Sequence, residues 1–292
     1  MMKKLVSLVL ALMLCLSCVS ALAAEAWTVT CPWAPSGVAA MVNQKAASLS
    51  TTYSQDYVLV ANAEKGDTAT INSWLTKYTE ADPQMCFIGE GMFGITAILD
   101  PERMNFTYDD FEYVENLYSS IFVASARKEL GLTSIDALKA YLEEGNQIMV
   151  GTNGATGSEA FLAAALIGAM GYGDQFYLIP YESAAEAAQA VARGEVDIAV
   201  SHQSQILETW QQGGVDVFAA FDGEPIAQGP FKGVEGVGQY GYPYFRNRCF
   251  IFAKAGADEQ KIADLKALYA QILTDEEMVD WLNNTMLLEA DM

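Results

Sequence analysis

Short apolar runs rich in β-branched residues alternate along this chain with longer stretches in which apolar residues recur every three or four positions. Val38, Met41, Val42 and Leu49, for example, fall on one face of a helix that begins near Gly37. The short runs predict strands at 27–31, 57–60, 85–88, 122–125, 147–150, 177–179, 196–200 and 215–218. Further helices are predicted at 68–78, from 135 to about 145, and from 158 to 170. This alternation predicts an α/β fold built on parallel sheets.

The N-terminus has the features of an export signal. Two lysines follow the initial methionines, residues 5–19 are apolar, and small residues follow at 20–24. The apolar run is shorter than the roughly 20 residues that a bilayer crossing needs. Residues 1–26 are therefore predicted to be a signal peptide, cleaved near Ala23 to Ala26, that places the mature chain outside the cytoplasm. A retained membrane anchor and a lipid anchor on Cys18 are the alternatives.

Composition narrows the classes of function. The chain has 37 acidic residues, 16 basic residues and a formal net charge of −21, whereas nucleic-acid binding requires clustered Lys and Arg. His202 is the only histidine and no zinc-type cysteine spacing occurs, so neither a metal nor a cofactor is expected. Cys31, Cys86 and Cys249 lie in strand-like segments and are predicted to be buried thiols. A disulfide and a catalytic thiol are the alternatives.

A glycine-rich loop before the helix at 158–170 carries the main functional hypothesis. It contains Gly154, Thr156, Gly157 and Ser158, and Thr156 to Glu159 fits a capping box. The N–H groups left free at the positive end of the helix dipole are expected to bind a carboxylate. The alternative is that the glycines only reverse the chain.

Other candidate residues follow predicted strands, because ligands of α/β sheets bind beyond the carboxyl ends of the strands. The first such loop contains Trp33, Ala34, Pro35, Ser36 and Gly37. Ser36 is predicted to cap the next helix. Trp33 is predicted to cover a ligand, or else only to pack between lobes.

Two later loops add polar candidates. Glu90, Gly91 and Met92 follow the strand at 85–88, and Glu90 would repel a second ligand carboxylate or pair with a ligand ammonium. Ser201 and His202 follow the strand at 196–200, and His202 could donate a hydrogen bond to the ligand. Exposed loop positions without a binding role are the alternatives for Glu90 and His202.

A further capping box opens an alanine-rich helix, Ser183-Ala184-Ala185-Glu186, and a helix cap without a ligand role is its alternative. The chain lacks a nucleophile elbow, a phosphate loop and a zinc-protease helix. A secreted hydrolase that uses Ser158 and His202 remains the main alternative from another class.

Three blocks of the chain, taken in order, resemble the extracytoplasmic receptors of tripartite tricarboxylate transporters, the Bug family of solute-binding proteins. Residues 106–114, FTYDDFEYV, are similar to the family's Tyr-Asp-x-x-Asp-Phe block. Residues 180–187, which include Tyr181, together with Gly194-Glu195-Val196-Asp197, are similar to its Pro-Tyr and Gly-x-Val-Asp block. Residues 252–257 match the Ala-x-x-Gly turn that opens its late helices. In the family's first loop, Gly-Gly-Gly-Thr-Asp, the Asp position falls at Ala40 of this chain, which leaves the ligand's identity open.

The resemblance implies a type II periplasmic-binding-protein fold, with two Rossmann-like lobes joined by a hinge. One lobe would comprise 27–121 and 219–292, the other 122–218, and closure would occur about strands near Ile121 and Phe218. It implies a monomeric, non-enzymatic receptor in the periplasm or at the cell surface. That receptor would bind a small di- or tricarboxylate, or an amino-acid-like acid, through loop amides and deliver it to the membrane subunits of a secondary transporter. A binding protein that serves a sensor or an ABC transporter is the alternative.

Overall fold

A computed structural model of the chain describes residues 24–289, so the predicted signal peptide and Cys18 lie largely or wholly outside the described residues. Its ten strands form two five-stranded sheets. The first sheet has the order β2-β1-β3-β10-β4 and the second the order β7-β6-β8-β5-β9. The strands are β1 Glu25–Cys31, β2 Tyr57–Ala63, β3 Gln84–Gly89, β4 Phe111–Ser120, β5 Phe122–Arg127, β6 Ile148–Asn153, β7 Phe176–Tyr181, β8 Ile198–His202, β9 Val215–Ala220 and β10 Asn247–Lys254.

Helices cover both faces of each sheet. The principal helices are α1 Val38–Tyr53, α2 Thr68–Lys77, α3 Ile135–Glu143, α4 Ser158–Ala169, α5 Ala184–Ala192, α6 Gln203–Gln211, α7 Glu259–Thr274 and α8 Glu276–Asp280. A short helical segment follows β3 at Met92–Thr96 and Ala97–Leu99, and another ends the described chain at Trp281–Met286. Within residues 24–289, no helix combines the length and apolar character that a membrane crossing requires.

The predicted elements are present, but the expectation of wholly parallel sheets is wrong. β5 runs antiparallel to β8 and β9, and β10 runs antiparallel to β3 and β4. The ten-residue β4 was not among the predicted strands, and the eight-residue β10 was expected only as a strand-like segment around Cys249. Residues 116–120 of β4 are all buried, without the alternation typical of a half-buried strand, and its pairing with β10 joins residues more than 120 positions apart, which no local pattern reveals.

Each sheet has an apolar core on both faces. On one face of the first sheet, α1 and α7 pack through residues such as Val42, Leu265 and Tyr269. On the opposite face, α2 contributes Trp74 to an aromatic cluster with Phe111. The second sheet is covered by α3 and α4 on one face and by α5 and α6 on the other.

The chain crosses between the sheets at two places. β4 of the first sheet continues through Ile121 directly into β5 of the second, and the segment 221–246 connects β9 with β10. That segment places Phe221 and Val237 in the core of the second sheet. The chain end returns to the same region, where backbone bonds of 2.9 and 3.1 Å join Ser119 and Glu289. The predicted lobe boundaries stay a prediction.

The Gly-x-Val-Asp block has a clear structural role in the second sheet. The Asp197 carboxylate accepts from Arg127 Nη2 at 2.7 Å and from the Met149 N–H at 2.8 Å. Its own N–H donates to the Met149 carbonyl and its carbonyl accepts from the Arg127 N–H. Asp197 is 5% exposed and thus ties β5 and β6 to the start of β8.

We expect Asp197→Ala to lower the free energy of unfolding by about 2–3 kcal/mol, because it removes two charge-assisted hydrogen bonds and leaves Arg127 unpaired. Urea denaturation followed by circular dichroism would measure the change. Glu195→Ala is the matched control, since Glu195 makes an exposed pair with Arg193 two residues away, and it should leave the midpoint unchanged. Equal midpoints for both variants would contradict the role given to Asp197.

Candidate functional site

The carboxyl ends of six parallel strands meet at one cleft between the two sheets. β1, β2 and β3 of the first sheet are parallel, and so are β6, β7 and β8 of the second. The loops that follow all six strands line a single cleft with a volume of about 520 Å³. This volume lies within the usual range for small-molecule sites, and the location is the one expected for ligands of α/β sheets.

Most of the residues singled out from the sequence lie on this cleft. Eleven line it, namely Trp33, Ala34, Gly37, Gly91, Met92, Gly154, Thr156, Gly157, Ser158, Tyr181 and His202. Four do not: Pro35 and Ser36 are exposed, Ser201 is fully buried, and Glu90 is directed to Arg248 at 3.9 Å. Ligand binding by any of these residues stays a prediction, but the structure brings five separate sequence segments to one place.

Two of the predicted helix caps are wrong. The N-cap of α1 is Gly37 and the N-cap of α4 is Gly157, and neither helix has a side-chain cap from Ser36 or Thr156. The Thr156 hydroxyl instead lies 3.5 Å from Arg103 Nη1. The predicted cap of α5 is confirmed, since the Ser183 hydroxyl accepts from the Glu186 N–H at 3.2 Å.

The missing side-chain caps leave backbone donors at both helix starts. The hydrogen bonds of α1 begin with Met41 N–H donating to Gly37, so the N–H groups of Val38, Ala39 and Ala40 have no acceptor within residues 24–289. In α4 they begin with Phe161 N–H donating to Gly157, and the Ser158 N–H is likewise without an acceptor there. Buried N–H groups seldom stay unpaired, so these donors favour an anionic ligand at the cleft.

His202 does not lie in the exposed loop that was the alternative to a binding role. It is the last residue of β8, only 8% exposed, and its ring lies 4.5 Å from that of Phe122. Its Nδ1 lies 2.6 Å from the Ser120 hydroxyl, so it is held at the crossing between β4 and β5. Burial lowers the pKa of His202 to about 4, which keeps the imidazole neutral at neutral pH.

Five charged residues that line the cleft were missed as ligand-site candidates, namely Lys65, Asp67, Arg103, Glu159 and Glu182. Asp67 and Arg103 form an ion pair at 3.3 Å, and Glu159 extends from the first turn of α4. Asp67 follows the second predicted strand in Gly66-Asp67-Thr68, so its position beyond a strand end was a usable signal. Nothing local places Arg103 here, because it follows the helical segment after β3 by several residues.

Contacts across the cleft show that its two walls have approached each other. Lys65 of the first wall forms a 2.8 Å ion pair with Glu182 of the second. A Cβ atom on Gly91 would lie 2.3 Å from the Ser158 hydroxyl, so only glycine permits this approach. Trp33 packs against Gly89 and edge-on against Phe87, with ring centroids 6.3 Å apart.

Comparisons with solved structures identify the fold. MatC from Rhodopseudomonas palustris, solved with bound malate, has a TM-score of 0.78 and 17% identity, covering 91% of this chain and 90% of that one. A second R. palustris protein, solved with adipate, has a TM-score of 0.79, 16% identity and coverages of 90% and 88%. A TctC solute-binding protein from Polaromonas has a TM-score of 0.71, 16% identity and coverages of 91% and 90%.

The chain has the fold of periplasmic solute-binding proteins. The two-lobed fold expected from the resemblance is thereby confirmed. No protein-family model matches the chain, and no curated protein matches it.

One carboxyl group in the cleft of this solute-binding fold is electrostatically unusual. Glu159 is 5% exposed, and burial raises its pKa to about 7, an effect that the nearby Asp67 carboxylate strengthens. Hydrogen bonds to the Glu159 carboxylate from its own N–H and from the Asn153 side chain lower this pKa and so oppose the shift. Burial also raises the pKa of Asp67, against the opposing effect of Arg103.

This shift makes a signed prediction for stability. Because the pKa of Glu159 is higher in the folded chain than its ordinary value of 4.5, ionising it opposes folding, and stability is lost as the pH rises through about 7. Glu159→Gln should therefore raise the free energy of unfolding by up to about 3 kcal/mol at pH 8 and leave it almost unchanged near pH 4.5. Urea denaturation across this pH range would measure the difference.

The exposed Glu143, at the end of α3, provides the control for this prediction. Glu143→Gln makes the same change of charge without removing a buried carboxyl, and its effect should not vary with pH. An effect of Glu159→Gln that is constant from pH 5 to pH 8 would show that Glu159 has an ordinary pKa.

Proposed function

We propose that this chain is a non-enzymatic extracytoplasmic receptor of the Bug type, which captures a small organic carboxylate for the membrane subunits of a tripartite tricarboxylate-type transporter. The observation that carries the proposal is the pair of uncapped helix starts, α1 and α4, which leave N–H donors on opposite walls of one cleft. Such donors bind a carboxylate without a dedicated Arg or Lys.

The solved neighbours support the carboxylate class. Their ligands are malate in one case and adipate in another, and both are small dicarboxylates. The order of the three sequence blocks and the shared fold support the same family. Export by a cleaved signal peptide and action as a monomer complete the proposed role.

The cleft geometry also supports a mechanism of closure. A ligand carboxylate held by amides of one wall would gain the amides of the other as the walls approach, so it would favour the closed arrangement. The Lys65–Glu182 pair and the Arg103–Thr156 contact lie across the same gap and would form only on closure. The crossings at Ile121 and after β9 would serve as hinges.

The hydrolase alternative lacks the geometry that it needs. A Ser nucleophile requires a base within hydrogen-bond reach, but no hydrogen bond joins Ser158 and His202 in the described chain, and the His202 ring is bonded through Nδ1 to Ser120 instead. Ser158 instead faces Gly91 across the cleft. Ser158→Ala should therefore weaken ligand binding modestly and reveal no esterase activity to lose.

A thermal-shift screen of dicarboxylates, tricarboxylates, amino acids and aromatic acids tests the receptor function. A ligand at 100 times its Kd should stabilise the folded chain by about 2.7 kcal/mol. If no acid in the screen raises the Tm, the proposed function is wrong.

We expect Gly157→Ala to weaken binding of the best acid in that screen at least tenfold. The added Cβ would lie 2.7 Å from the Asn153 carbonyl oxygen, so the loop and its amides must move. Gly168→Ala, in the same helix and with nothing within 4 Å of the added Cβ, is the matched control and should bind normally. Titration calorimetry would measure the affinity of both variants. Equal affinities would show that the amides of this loop do not bind the ligand.

A further inference from the structure

The acidic and basic residues that line the cleft are not equal in number. Lys65 is paired with Glu182 at 2.8 Å, and Arg103 is paired with Asp67 at 3.3 Å. Glu159 also lines the cleft, yet no Lys or Arg of the described chain lies within ion-pair distance of it. The cleft therefore carries one surplus carboxyl, at a position from which water is largely excluded.

The surplus carboxyl and its nearest charged neighbour lie on opposite walls. Glu159 is on α4 of the second wall, and Asp67 follows β2 on the first. Tyr118 of β4 and Cys249 of β10 also face Glu159, but burial raises the pKa of both groups far above neutrality. Between pH 6 and pH 8, the groups near Glu159 that change or carry charge are thus Glu159 itself, Asp67 and Arg103.

Two further features favour a binding role for this part of the cleft. Thr96, which is 6% exposed, also lines the cleft, and its hydroxyl has no hydrogen-bond partner among residues 24–289. Asp67 has a φ of 49° and a ψ of −126°. This conformation is unfavourable for every residue except glycine and costs about 1–3 kcal/mol. The Asp67 carboxylate pairs with Arg103 and also accepts hydrogen bonds from the Trp33 side chain and the Thr68 N–H. Such strain is typical of functional positions.

We propose that Asp67 and Glu159 together receive a cationic amino group, so that this receptor selects amino-carboxylates over simple carboxylates. The inference rests on the proposed function, because the ligand's carboxylate is assigned to the free amides of α1 and α4. It goes beyond that function by naming the second ligand group and the two residues that discriminate.

Charge balance explains why an amino group fits. Asp67, Glu159 and Arg103 carry a summed charge of −1 when both acids are ionised, and one ammonium group neutralises it. Burying an unpaired carboxylate costs free energy because it loses its hydration. A buried ammonium beside the carboxylate compensates for part of that loss. A simple carboxylate would instead add negative charge beside Glu159 and would bind only when that residue is protonated.

Matched ligand pairs test this selectivity directly. The probes are L-glutamate against glutarate, L-phenylalanine against 3-phenylpropionate, and 4-aminobutyrate against butyrate, each measured by titration calorimetry at pH 8. In the pair that binds best, the amino member should bind at least tenfold tighter. Tighter binding by the deaminated member, or no binding by any probe, would overturn the inference, whereas the receptor function is decided separately by the thermal-shift screen.

The pH dependence of binding should differ in sign between the two ligand classes. An amino ligand requires ionised Glu159, whose pKa is about 7 in the ligand-free cleft, so its affinity should rise about tenfold from pH 6 to pH 8. A deaminated acid requires the protonated form, so its affinity should fall over the same range. Affinity for the amino ligand that falls as the pH rises would contradict the pairing.

Variants of Glu159 and Asp67 test whether these two residues cause the selectivity for the amino group. Glu159→Gln and Asp67→Asn should each weaken binding of the amino ligand at least tenfold, while the deaminated partner should bind with the same or higher affinity. Glu159→Gln should also abolish the pH dependence of binding. Glu143→Gln makes the same change of charge on the exposed surface and should bind both ligands as the unmodified chain does. Equal losses for both members of a pair would show that the acids support the cleft without recognising the amine.

Discussion

Backbone N–H groups at two helix starts have no acceptor within residues 24–289, and the arrangement of both lobes brings them to the same gap. Each lies beyond the carboxyl end of a parallel strand, β1 for α1 and β6 for α4. Glycine at both N-cap positions leaves the donors uncovered. Their requirement for an acceptor is a local interaction, so the net charge of −21 does not oppose the proposed binding of an anion: charges beyond about 8 Å are largely screened at physiological salt.

The antiparallel strands have a different structural role from the parallel strands. β4 passes through Ile121 into β5, so one continuous extended segment belongs to both sheets, and β10 returns the chain to the first sheet. His202 and Ser120 meet at this crossing, where a buried neutral imidazole adds a polar contact without adding charge. The parallel strands thus supply the loops of the cleft, while the antiparallel strands connect its walls.

The cleft combines uncharged donors with a small set of charges, most of them paired. Lys65 with Glu182 and Arg103 with Asp67 offset one another near the opening, while Glu159 is left buried and without a cation. A site of this kind is sensitive to the charge of its ligand. In the proposed receptor, the amides set where the acid group of the ligand binds, and the unpaired carboxyl sets the charge that the rest of the ligand carries.

The sequence by itself determined the alternation of strands and helices, the candidate loops and the fold expected from the resemblance, because periodicity and glycine placement are local properties. It also marked Gly157 and Gly37 beside helix starts, although it assigned the caps to Thr156 and Ser36. The tertiary structure alone decided the antiparallel pairing of β4 with β10, the pairing of His202 with Ser120 and the burial of Glu159 opposite Asp67. These depend on contacts between residues far apart in the chain, such as the 117 positions between Lys65 and Glu182, and only packing brings such residues together.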